Sequence, residues 1–561
     1  MKHFNKLNYK RPNYSLTKTK INNLIKKLKN ENNYKNHLNI IKKIINIQNN
    51  IEQMHDYADI NNMRNLKDKF YILEMNYWNK YKPKYDQLFN PFYEVIQNSS
   101  YKNKLIKEIP TNFFKTIEYK LKLQSENILE LQTQENKLKS KYLDIINQKF
   151  IYNEEEYSIS SISKFLSSSN RETRKDAHDT LNNFYLSNQE KLDNIYFDLI
   201  QVRNKIAKKL NLDNYTNYSL YSLRRFGYNY NDIHKFRNNI IKYIIPLCDK
   251  LNKLKIKNLE VEKLEYFDSV FFKESPIPKS EGKELLINIE SSLKKIDTDL
   301  AKFYKEMLNN GYIDLETRDN KINFAITNYL TKTCYPTITG NFKNTSLDIK
   351  IASHELGHAY QKYNASKMDK KYIISALLKY PTFEIAEMFS YAMELIIMPY
   401  VDNLVSEKDY KKYCFLQIYN MVTSLPYICL IDEFQEQIYS NHNLTKKDIR
   451  KTWKDLTKKY HLEEFNQGHP NLDAGGYFYR QSHLFINPFY YIDYALSYFG
   501  AFAIWSSSKN NINYFKELSS IASYYSLQEL ITKYNLPSPF EEESIKNIVN
   551  KLEQELEKYK C

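Results

Sequence analysis

The chain has 561 residues, 42% of them hydrophobic and 15% aromatic, which excludes intrinsic disorder and allows two to four domains or one large elongated fold. Nine glycines and fifteen prolines exclude a turn-rich sandwich, a barrel or a collagen-like repeat and favour long helices. Of the net charge of +16, residues 1–50 carry +11, twelve Lys and Arg against Glu31 alone, so the remainder is nearly balanced and no dedicated nucleic-acid-binding face is indicated.

In chain order, the start MKHFNKLNYKRPNYSL lacks the apolar core of a signal peptide, which predicts a cytoplasmic protein. No uninterrupted apolar run approaches the eighteen residues of a membrane-spanning helix, so no membrane association is expected. The basic first segment places Ile21, Leu24, Ile25 and Leu28 at i, i+3, i+4 and i+7. That spacing predicts a helix that docks its apolar stripe and leaves its lysines in water. Long amphipathic helices continue to about residue 220, with interruptions expected at Lys82-Pro83-Lys84, Asn90-Pro91 and the polar run Ser158–Asn170. The chain divides into an N-terminal helical region, 1–210, and a second region, 211–561, helical through Cys248 and then passing a proline-bearing loop at Ser275–Pro278.

Ile322–Thr327 and Tyr335–Phe342 are β-branched, aromatic and bounded by turn residues, and predict strands of a small sheet; after Ser346 the pattern is helical again. Six of the nine glycines fall between 340 and 500, where sharp turns or close backbone approach mark the segment most suited to a site. Cys248, Cys334, Cys414, Cys429 and Cys561 are scattered and form no CxxC pair, so they read as reduced thiols.

Residues 351–360, IASHELGHAY, contain HExxH. On a helix His354 and His358 project from one face with Cβ atoms roughly 5–6 Å apart, which suits two nitrogen ligands of one tetrahedral zinc. Glu355 then stands where a carboxylate takes the proton of an activated water. The competing reading is a surface helix with two unliganded histidines. A metzincin would need glycine at 361 and histidine at 364, and this chain has Gln361 and Asn364. Leu377 and Leu378 stand where thermolysin-like patterns put the third ligand. The next acids, Glu384, Glu387 and Glu394, lie along one side of an otherwise apolar helix that Pro381 starts and Pro399 ends. Carboxylates on such a helix need a partner, which a metal and its surroundings would provide; the alternative is a solvated charged stripe.

HELGHAYQ at 354–361, with PTFEIAEMFSYAMEL at 381–395, resembles the thimet oligopeptidase / oligoendopeptidase F family of zinc metallopeptidases, and most its Pz-peptidase branch. The N-terminal Tyr9–Tyr14, Phe236–Leu247 and the loop after Phe271-Phe272 are similar to that family too. The resemblance implies that Glu387, first acid of an E-x-x-S-x-x-x-E pattern, is the third ligand of one Zn2+ per chain. It implies that Glu394 orients a ligand imidazole, with Glu384 a further carboxylate near the site.

Residues 473–496 carry Gly475-Gly476, a lone His483 and an aromatic run, with Tyr491 and Tyr494 three apart on one helix face. On residues alone they are either core or hydrogen-bond donors for an oxyanion. The resemblance carries the family's substrate-binding histidine and tyrosines to His483, Tyr491 and Tyr494, with Tyr490 a further substrate contact. The Thr337–Phe342 strand, with Gly340 and Asn341, could pair its exposed edge with an extended peptide, or be buried structure. Gly475 and Gly476 are candidate substrate contacts as well.

The expectation is a mainly α, two-lobed zincin-type metallopeptidase, with a small β-sheet beside the zinc helix and a deep central channel walled on one side by residues 1–210. It would cut internal bonds of short unstructured peptides, with Glu355 as general base and no nucleic-acid partner. Three rivals remain: a dipeptidyl carboxypeptidase on the same scaffold, for which Arg480 is the nameable C-terminal grip; an inactive peptide binder; and a nucleic-acid binder using the basic N-terminus.

Overall fold

Asn13 opens the first helix, its side chain accepting from the Leu16 amide at 3.0 Å. Along Tyr14–Lys29, Ile21, Ile25 and Leu28 are buried, Leu24 is half-buried and Lys26, Lys27 and Lys29 are exposed, as the spacing requires. The computed structural model describes residues 3–368, 376–378, 380–507 and 510–561.

The helices Tyr34–Arg64, Lys69–Gln87, Asn90–Gln97 and Thr111–Lys122 close a first core around Ile44, Trp78, Tyr85, Phe92 and Phe113. Pro83 does not interrupt its helix, contrary to the sequence expectation. Pro83 and Asn79 are both exposed, so water takes the carbonyl that the missing proline N–H leaves free. The interruption expected at Asn90-Pro91 is present: one helix ends at Gln87 and the next begins at Asn90 with Pro91 in its first turn. The polar run at 158–170 is two helix starts: Ser158 caps Ile159–Leu166 through a capping box with Ser161, and Asn170 caps Arg171–Ser187.

A second, larger core runs from Phe4 to Tyr559 and gathers most of the helices after residue 171, giving a mainly α, two-lobed fold. Its sheet has three strands in the order Ile313–Asp314, Tyr335–Thr339, Ile326–Leu330; the middle strand is parallel to the first and antiparallel to the last. The strand expected at Ile322–Thr327 begins four residues later. Lys321 binds the Asp314 and Glu316 carbonyls at 2.9 and 3.0 Å, and the Ile322 amide donates to Met63 of the N-terminal lobe, so the segment is a tether before it becomes a strand.

Four helices pack together within this core: Leu347–Met368, Phe383–Ile397, Glu407–Ser440 and Ile492–Trp505. Glu407–Ser440 is long and apolar enough to cross a membrane, although polar residues interrupt its apolar runs. It is instead a core helix, most of its apolar stretch being buried inside the protein. Pro426 within it cannot donate to the Val422 carbonyl, which takes the Cys248 thiol at 3.8 Å. None of the five cysteines forms a disulfide.

Candidate active site

His354, Glu355 and His358 lie on Leu347–Met368, and Glu387 and Glu394 on Phe383–Ile397. The two helices approach closely because residue 357 is glycine: a Cβ there would sit 2.6 Å from the Phe389 carbonyl oxygen and from the Ser390 Cα. Glu387 Oε2 thereby stands 3.3 Å from His354 Nε2 and 3.6 Å from His358 Nε2. Donors on a tetrahedral zinc at ~2.0–2.1 Å lie about 3.4 Å apart, so this two-histidine, one-carboxylate set has the spacing and chemistry of a zinc site. Among the described residues, one other group could hold a cation by spacing, Glu52, His55 and Asp56, but Lys82 already pairs with Glu52 at 2.8 Å.

Glu394 Oε1 lies 2.7 Å from His354 Nδ1. A carboxylate only accepts, so Nδ1 carries a hydrogen, which leaves Nε2 as the nitrogen that would give up its proton to bind a metal. The other Glu394 oxygen lies 3.8 Å from the Lys350 ammonium. Burial opposes charge on both imidazoles, yet the outcomes differ: Glu387 and Glu394 together lift His354 to about 10, whereas burial takes His358 down to about 4. Glu387 is held down to about 2, its burial being outweighed by His358 and His354. Glu387 and Glu394 thus favour positive charge beside His354, while burial keeps His358 neutral and able to offer a nitrogen lone pair. Glu355 is buried, which raises its carboxyl above the usual range, and its Oε2 accepts from Thr327 Oγ1 at 2.7 Å.

These groups face a cavity of about 730 Å³, within the size range of ligand clefts. Its opposite side carries His483, Tyr490, Tyr491 and Tyr494. The His483 ring stacks on Tyr490 at 5.7 Å and packs against Tyr491 at 5.0 Å. Gln481 Nε2 donates to His483 Nδ1 at 2.8 Å, and Tyr427 donates to Gln481 Oε1 at 3.3 Å. That chain leaves the hydrogen of a neutral imidazole on Nε2, and burial, which lowers the imidazole, keeps it neutral. Burial raises all three phenols, Tyr494 to about 12, so they stay O–H donors.

Other candidates lie elsewhere. Tyr335–Thr339 is the middle strand, paired on both sides, so the expectation of a free edge there fails; Ile326–Leu330 is the edge strand, and Ala325–Asn328 line the cavity. Gly340 donates its amide to the Asp314 carbonyl and packs against Ala325, while Asn341 exchanges hydrogen bonds with Arg318. Neither lines the cavity, because both continue the paired middle strand. Gly475 and Gly476 are also outside it: a Cβ would meet the Arg450 carbonyl oxygen at 2.7 Å and Asn471 Oδ1 at 2.3 Å, so both serve close packing.

Glu384 does not reach an imidazole. It accepts from Thr382 Oγ1 at 2.7 Å, and burial together with Asp493, itself 2.8 Å from Arg225, raises it. Arg480 donates to Asn182 at 2.6 Å and lies over the Tyr477 ring rather than in the cavity. Among the described residues, none of 3–210 lines this cavity; the Tyr34–Arg64 helix packs against the sheet. Sequence reasoning missed Thr327, Gln481 and Tyr391, whose ring lies 4.9 Å from His354. Tyr391 is four residues after Glu387 on the same helix, a signal that was available.

A two-lobed, mainly α peptidase is the class that this fold and site define. The sequence matches the model of the peptidase M3 N-terminal domain over residues 4–124 and that of peptidase family M3 over 164–519: the chain belongs to peptidase family M3. No curated protein is significantly similar to it. Among solved structures, PZ peptidase A with an inhibitor is 29% identical, covering 99% of each chain at a TM-score of 0.89. A putative oligoendopeptidase F is 26% identical with the same coverage and TM-score. Another from Bacillus anthracis is 27% identical, covering 100% of this chain and 98% of its own at 0.84.

Proposed function

We propose that this peptidase is a zinc-dependent endopeptidase that hydrolyses internal bonds of short unstructured peptides. The observation that carries the reading is Glu387 Oε2 lying 3.3 and 3.6 Å from the two imidazole Nε2 atoms, in a cavity that also exposes Glu355. Zinc held by His354, His358 and Glu387 would supply Lewis acidity toward the attacking water and the scissile carbonyl. Glu355, its basicity raised by burial, takes the proton of the water and delivers it to the leaving amine nitrogen. Thr327 Oγ1 fixes that carboxylate. His483 Nε2–H and the Tyr491 and Tyr494 hydroxyls donate to the carbonyl oxygen as negative charge develops, each worth about 3 kcal/mol when well placed. The Ile326–Leu330 edge offers main-chain groups on which an extended peptide adds as a further strand, recognition that tolerates many sequences.

The test is an end-blocked, internally quenched peptide incubated with and without a chelator. Cleavage that the chelator abolishes and added zinc restores is the expected result. Absence of chelator-sensitive cleavage overturns the reading, and end-blocking separates it from a carboxypeptidase, which needs the free C-terminus.

A further inference from the structure

Beside the active-site cavity lies a second pocket, of about 280 Å³. The two share the Glu407–Ser440 helix: Ser424 and Ile428 line the cavity, whereas Thr423, Pro426 and Tyr427 line the pocket. The Tyr427 ring stands between them, 6.2 Å from Tyr491 on one side and 6.0 Å from Tyr477 on the other.

Lys255 lines this pocket while only 4% exposed. Among the described residues its ammonium makes no hydrogen bond or ion pair; it stands 5.2 Å from the centre of the Phe465 ring. The acid lining the same pocket, Asp268, is already engaged by Arg171 at 2.8 and 2.9 Å and by Arg174 at 3.2 Å. Glu464 accepts from Asn252 at 3.0 Å and forms no ion pair with Lys255. His178 adds no charge, burial lowering it to about 4. Burial lowers Lys255 to about 8, against Asp268 and Glu464, so at neutral pH it is still protonated. A buried ammonium with acids nearby but no direct ion-pair or hydrogen-bond partner is costly, and a bound carboxylate would supply that partner.

We infer that this pocket is a carboxylate subsite, in which Lys255 receives the C-terminal carboxylate or an acidic side chain of a peptide extending from the active-site cavity past Tyr427. It rests on the proposed peptide-binding cleft, but it is read by binding rather than turnover. The experiment uses the full chain carrying Glu355→Gln and one peptide sequence in three forms: free C-terminal carboxylate, C-terminal amide, and amide with one added glutamate side chain. Affinities are measured by calorimetry.

A carboxylate form binding at least tenfold tighter than the plain amide, with the advantage lost in Lys255→Met and kept in Lys255→Arg, is the expected result. Whichever carboxylate form gains identifies the source. Equal binding of the three forms to the Lys255 protein overturns the inference without need of any variant, as does a preference that survives Lys255→Met. Stabilisation by acetate alone with no preference among peptides shows a free-anion site and overturns it too. Failure of the peptidase reading would appear separately, as absent cleavage by the wild-type chain beside an intact carboxylate preference.

Discussion

At the residue scale, Glu355 and Glu394 do different things from similar positions. Glu355 faces the cavity and is bonded to Thr327, whereas Glu394 lies behind His354 and does not line the cavity. Glu355→Gln is therefore expected to lower kcat by about 10²–10⁴-fold while zinc content and KM change little, measured on the quenched peptide. Glu394→Gln should instead loosen zinc by about 10–100-fold, read by competition with a chromophoric chelator, since it removes the acceptor that fixes the His354 ring. His354 and His358 were legible because an i, i+4 pair shares a helix face whatever the surroundings. Glu387 was legible only through its pattern, since three acids shared that helix. Thr327 could not be read at all: its hydroxyl meets Glu355 only after a strand and a helix distant in sequence are brought together.

At the scale of elements, Gly357 sets the separation of the helices that carry His354, His358 and Glu387. Gly357→Ala places a methyl 2.6 Å from backbone atoms of the partner helix, which cannot yield as a side chain does. A loss of about 1–3 kcal/mol in urea unfolding, with weakened zinc retention, is the expected outcome. The Arg171–Ser187 helix carries a second testable element, His178, buried against the Leu166 carbonyl and lowered to about 4. Above pH 6.5 the ring is neutral in both the folded and the unfolded chain. Between about 6.5 and 4 the unfolded chain takes up the proton and the folded one does not, so stability falls with pH, by on the order of 3 kcal/mol in all. His178→Phe should flatten that part of the wild-type stability–pH curve, followed by denaturant midpoints. Periodicity located the helices well, but prolines misled in one direction: whether Pro83 breaks a helix depends on whether water reaches the freed carbonyl, which is a property of exposure.

Across the whole molecule, fully buried Arg203 joins distant parts of the chain. It donates to Glu135 at 2.9 Å, to the Tyr439 hydroxyl at 2.8 Å, and to the Leu484 and Phe485 carbonyls beside His483. Arg203→Met strands those acceptors, so a loss of about 3–5 kcal/mol in denaturant unfolding is expected, with peptide affinity falling as the 482–486 segment loosens. Such long-range ties explain where sequence reading stopped. What the sequence by itself determined is local: helical periodicity, the docking of the basic first helix, the pairing of two imidazoles along one spiral and the spacing of the acids along the next, because each comes from spacing within a single element. What only the tertiary structure decided is which strand occupies the edge, which glycines pack rather than bind, that Glu384 feels the charge of Asp493, and that Lys255 is buried without a direct ion pair. Each of these depends on which surfaces meet across hundreds of residues, and a pattern of neighbours along the chain does not encode that meeting.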